Sequence, residues 1–149
     1  GPCMVKVRRS TLMAAAVVLL FFLALTAVAY INALRQAKAI QVFNAAVKYI
    51  LVPHGIAVSN FTVKSFSRIA CMGTANGSVQ LFLLSPAQYQ TVERNHTISS
   101  AVYVTPSGNY INVTNVYVEP GTYYVVIYNP SNQTVSLIFS GYCEVIQYG

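Results

Sequence analysis

The sequence predicts an α+β chain, with a long N-terminal hydrophobic helix followed by an all-β, sandwich-like domain. No charged residue stands between Arg9 and Arg35. Beyond Gly55 the apolar residues recur at every second position, and Gly, Pro, Asn and Ser punctuate them at short intervals. These observations place one apolar rod ahead of one strand-rich domain.

Thr11 to Tyr30 reads TLMAAAVVLLFFLALTAVAY. At about 1.5 Å per residue, twenty helical residues reach about 30 Å, the thickness of a bilayer's hydrocarbon. A cleaved secretory signal would carry an apolar region of only about 7–15 residues. Lys6, Arg8 and Arg9 precede the run and are expected to hold that end in the cytoplasm, sending the rest of the chain outward. After Thr11 the first clear helix breakers are Pro53 and Gly55. At about 100° per residue Ile40, Phe43, Val47, Ile50 and Leu51 share one side, with Lys38, Gln41, Asn44 and Lys48 opposite. The expected organisation is therefore a basic leader or cytoplasmic flank over 1–10, a hydrophobic then amphipathic helix over 11–53, and an extracellular β-domain over 54–149.

In that last region the strand-like runs begin at Phe61, Ser78, Ala101, Tyr110, Thr122, Thr134 and Tyr142. The turns between them are expected at Gly73–Gly77, Pro106–Asn109, Pro120–Gly121, Asn129–Asn132 and Gly141. Many short strands with regular turns argue for a β-sandwich or a small barrel. Tyr123 to Tyr128 is apolar on both faces and reads as a central strand. One helix is expected among the strands, with Ser85 as N-cap and Pro86 at its first position, running to Arg94.

Asn-x-Ser/Thr occurs at Asn60, Asn76, Asn95, Asn112 and Asn132. With Ser and Thr at about a fifth of the positions beyond residue 54, chance gives roughly one or two such sites among the Asn present. The excess points to N-linked glycans and an extracellular domain. Cys71 and Cys143 both lie at or near predicted strands. A bridge between them closes a loop of about 70 residues and contributes roughly 4 kcal/mol; two buried free thiols are the alternative. Cys3 has no partner in sequence.

Composition removes most chemistry. Only 8% of the residues are charged, Asp is absent, and the acids are Glu93, Glu119 and Glu144, so paired-carboxylate catalysis and acidic cation cages are excluded. His54 and His96 are the only histidines, stand far apart in sequence, and read as turn or surface residues. No C-x-x-C is present, and no metal, cofactor or catalytic group is expected. The net charge of +6 comes entirely from cations ahead of residue 54, where they flank the apolar run, so nucleic acid is not an expected partner. With so few acids, stability is expected to vary little between about pH 2 and pH 8.

The order of these features resembles archaeal type IV pilins and archaellins. KVRRS from Lys6, followed by TLMAAAVVLL, resembles the junction of a class III leader, with Arg9, Ser10 and Thr11 at the cut. The fifth residue after such a cut is Ala15, where bacterial pilins carry Glu. The resemblance implies a non-enzymatic subunit that waits in the membrane and then self-associates into a helical homopolymer. Its helices, through Leu20, Phe21, Leu25, Ile40, Phe43, Val47, Ile50 and Leu51, would form the filament core. Glycosylated β-domains would form the shell, exposed for adhesion. The alternative is a single-pass, membrane-anchored surface protein whose β-domain binds a partner, or a noncatalytic subunit of a membrane complex.

Overall fold

The computed structural model describes residues 9–34 and 38–149. An apolar helix, α1 (Arg9–Leu34), is followed by eight strands and a second helix. The strands are β1 (Lys38–Gln41), β2 (Lys48–Leu51), β3 (Ile56–Val63), β4 (Ser67–Leu84), β5 (Tyr103–Val104), β6 (Gly108–Val118), β7 (Gly121–Tyr128) and β8 (Val135–Gln147). The second helix, α2 (Pro86–Asn95), sits between β4 and β5 in the chain. α1 belongs to one compact unit and the remaining elements to another.

α1 is built from Ala, Leu, Val and Phe without a Gly or Pro. The Thr26 hydroxyl, within the apolar run, is satisfied inside the helix by donation to the Phe22 carbonyl at 2.8 Å. From Arg9 to Tyr30 every side chain is exposed on this chain, so nothing within the unit covers the apolar surface.

The helix does not continue to Val52, which corrects the boundary expected at residue 53. β1 and β2 instead line one edge of β8, Lys38 opposite Gln147 and Lys48 opposite Ile138. β1 and β2 are four residues each, too short for their apolar residues to show a period of two, and Phe43 lies between them. β8 then offers them an unpaired backbone edge and a core to fill. Phe43 and Leu51 are buried in the β-domain and Ile40 packs against its core, while Val47 and Ile50 are exposed. The expectation that Ile40, Phe43, Val47, Ile50 and Leu51 pack helix on helix is overturned with it. Between β1 and β2 the chain is pinned to β8 by Val42 N–H donating to the Cys143 carbonyl (2.8 Å) and Ala46 N–H to Phe139 (3.1 Å).

The pairing runs β1–β8–β4–β7–β3, with β2 also on β8 and β5 and β6 also on β4, and every pair is antiparallel among the described residues. β4 joins the layers: its first half pairs with β6 and β8, its second half with β7 and β5. One path of strands therefore curls, barrel-like, around the main core; of the β-sandwich or small barrel expected, two separate sandwich sheets are not formed. The reason lies at Gly73–Gly77, expected as a turn but continuous with β4. A Cβ at Gly73 would lie 3.1 Å from the Ile138 carbonyl oxygen and 3.2 Å from Leu137, so this glycine serves close strand approach instead of a turn. Gly141 likewise lies within β8, at φ 132°, and joins two runs that read as separate strands. β7 is interior as expected, with Val125, Val126 and Ile127 all buried.

Candidate functional site

The chain presents three surfaces worth weighing: the apolar helix, the glycosylation sequons and a groove beside α2. On α1, Leu20, Phe21 and Leu25 are each more than half exposed. Arg9, Ser10 and Thr11 occupy the first turn of that helix. The rest of the basic flank, including Lys6 and Arg8, and Cys3 lie outside the described residues.

All five sequon asparagines are exposed. Asn60 stands on β3 and Asn112 on β6, each with its Thr on the same outward face two residues on. Both strands are edges: among the described residues β3 pairs only with β7 and β6 only with β4. Asn95 ends α2, Asn132 lies in the β7–β8 turn, and Asn76 lies within β4. Where the amide is engaged, it is engaged through its oxygen. Asn76 Oδ1 accepts from Ser136 N–H (2.8 Å), and Asn132 Oδ1 accepts from His54 Nε2 (2.8 Å). Those contacts leave the amide nitrogen, the atom a glycan takes, outside the hydrogen bond.

Cys71 and Cys143 form a disulfide between directly opposed residues of β4 and β8, both buried.

The groove was not legible as a site. α2 is set by Ser85, whose hydroxyl accepts from Gln88 N–H while the Gln88 side chain accepts from Ser85 N–H, a capping box beneath Pro86. The helix closes at His96, in the left-handed conformation at φ 55°, with its N–H donating to Val92. This places Tyr89, Val92 and Glu93 on one face of α2, with His96 just past its end, and the four border a cavity of about 600 Å³. Phe82 of β4, Tyr128 of β7 and His54 complete the wall. His54 is itself a left-handed turn residue (φ 57°). The two histidines, remote in sequence, thus line one groove. Since an amide oxygen only accepts, His54 Nε2 carries the proton toward Asn132, and Nδ1 accepts from the Tyr128 hydroxyl at 3.2 Å.

The rings in the groove are fixed. Tyr89 stacks on Tyr124 with centroids 4.2 Å apart, and Phe82 meets Tyr128 edge-on at 6.5 Å and 65°. Burial, and then the neighbouring Glu93 carboxylate, push the Tyr89 phenol above its ordinary range. Among the described residues no three His, Cys or Glu side chains form a metal-holding group. The local signal for the groove is the i, i+3, i+4 row of α2, Tyr89, Val92 and Glu93, closed by the cap residue His96.

A further exposed aromatic surface surrounds Arg68 on β4. Its guanidinium donates to the Tyr148 hydroxyl (3.2 Å) and the Thr114 carbonyl (2.9 Å), and the Tyr148 hydrogen bond raises its affinity for the proton. Phe66 stacks on Tyr117 beside it, centroids 5.3 Å apart, and both rings are half exposed.

No family model matches the chain, and no curated protein matches it. A solved structure, the pre-peptidase C-terminal domain of a collagenase from Bacillus anthracis, is similar at 18% identity over 74% of this chain and 89% of that one. The TM-score is 0.47, too low to carry a functional argument.

Proposed function

We propose that this chain is a non-enzymatic structural subunit that polymerises through α1 into an extracellular, pilus-like filament, after a period in the membrane with its N-terminus cytoplasmic. The supporting observation is that α1 is apolar all round and no side chain from Arg9 to Tyr30 is covered by the chain itself. Such a rod needs lipid or other rods. The core-forming segment in this reading is α1 alone, centred on Leu20, Phe21 and Leu25. The β-domain forms the shell, with glycans at Asn60, Asn76, Asn95, Asn112 and Asn132 and exposed aromatic rings available for adhesion. Glycans on β3 and β6 also shield two open sheet edges.

A second reading is favoured by the length of α1. Its 26 residues reach about 39 Å, enough to cross a bilayer, with Arg9 at one end and Lys38 beyond the other. In that reading the chain is a single-pass surface protein, or a noncatalytic subunit of a membrane complex. N-terminal sequencing of the protein from its native envelope separates the two. A first residue at or near Thr11 supports the filament, and an intact basic flank supports the anchor.

A further inference from the structure

We propose that the groove between α2 and β7 is a binding site for an alkylammonium group, a function separate from polymerisation and from the glycans. Three features of the groove select that chemistry. Its walls are mainly aromatic and aliphatic, from Phe82, Tyr89, Tyr128 and Val92. Phe82 and Tyr128 meet at 65°, forming two sides of a corner, and Tyr89, held from behind by Tyr124, stands on the helix side. Ring faces carry negative potential and attract a cation that has shed water.

The second feature is charge. Glu93 lines the groove and no Lys or Arg does, so a cation gains a carboxylate partner while phosphate or carboxylate ligands are repelled. The third is preorganisation. The Tyr128 hydroxyl is tied to His54 and His54 to Asn132, while α2 is fixed by its capping box, so the corner is formed before any ligand arrives. A volume of about 600 Å³ lies in the range that holds a small molecule and easily admits a trimethylammonium group or a lysine tip. A neutral sugar would gain from the rings but has no need of Glu93, and that difference is testable.

The experiment is isothermal titration of the full chain in maltoside micelles at pH 8 with four probes. These are tetramethylammonium, choline, Nα-acetyl-lysine amide and 3,3-dimethylbutanol, the uncharged isostere of choline. The site predicts saturable binding of at least one cation with a Kd of about 1 mM or tighter, and binding of the isostere weaker by about tenfold. Glu93→Gln is expected to weaken cation binding by about tenfold with an unchanged melting temperature, and Tyr89→Leu to weaken it as much with a lower melting temperature from the lost stacking on Tyr124. Preference for choline identifies a free quaternary ammonium as the source, and preference for the lysine derivative a protein side chain. Absence of cation binding, equal binding of the isostere, or full retention of binding in Glu93→Gln overturns the assignment.

Discussion

The ring of Phe43 lies stacked on that of Phe139, centroids 5.3 Å apart and 11° from parallel, with Tyr49 edge-on to both. Phe139 is fully buried on β8, so Phe43 belongs to the β-domain core and not to a helix surface. Phe43→Ala is expected to cost about 3–5 kcal/mol in urea unfolding, the usual range for emptying a buried aromatic site. Ile50→Ser, at a side chain 58% exposed, should cost under about 1 kcal/mol. Equal costs for the two would contradict the placement of this segment.

Asn129 supplies the clamp between β2 and the β7–β8 turn. Its buried amide nitrogen donates to the carbonyls of Leu51 (3.1 Å), Val52 (3.1 Å) and Gln133 (2.6 Å), while Oδ1 accepts from Ser131. Asn129→Leu leaves those carbonyls without their donor and should cost about 3 kcal/mol. A melting temperature unchanged from the parent would show that water replaces the clamp without loss.

What the sequence made legible depended on how local each signal is. The uncharged run of α1, the Ser85–Pro86 start of α2 and the double-faced apolar run of β7 are written in adjacent residues, and each is where the pattern put it. Ile40, Phe43 and Leu51 share one helical side, and strands of four residues are too short to show an alternating period, so only the free edge of β8 decides for strand, and that edge is about a hundred residues away. Gly73 reads as a turn because nothing local reveals that the Ile138 carbonyl presses against it. The groove was hidden for the same reason: Tyr128 reaches α2 only through the pairing of β7 with β4, and His54 only through the pairing of β3 with β7.

Glycans on the two edge strands are expected to limit association. In a glycosylating secretory host, Asn60→Gln with Asn112→Gln should lower the mass by two glycans and raise light scattering on storage. The control pair Asn95→Gln with Asn132→Gln should lower the mass equally and leave scattering unchanged. Unmodified Asn60 and Asn112 in the parent protein would remove this role.

The disulfide predicts a loss of about 4 kcal/mol in the Cys71→Ala, Cys143→Ala double variant, read from urea unfolding under non-reducing conditions. A loss below about 1 kcal/mol would mean that the sheet already holds β4 to β8 without the covalent link.

Stability should be nearly flat from about pH 3 to pH 8, since the chain holds only three Glu and two His. The alkaline side differs. Tyr89 holds its proton more tightly in the folded state than in the unfolded chain. Its contribution is therefore fully present below the unfolded value of about 10 and is lost as pH rises toward the folded one. The fall in urea midpoint above about pH 10 should be shallower in Tyr89→Phe. Identical alkaline slopes would exclude Tyr89 as a source.

Detergent removal from the protein purified from its native envelope, followed by negative-stain electron microscopy, tests self-association through α1 most directly. Filaments from the parent protein and none from Leu20→Lys, with β-domain folding intact in both by circular dichroism, is the predicted result. A parent protein that stays dispersed, or Leu20→Lys filaments as abundant as the parent's, would contradict it.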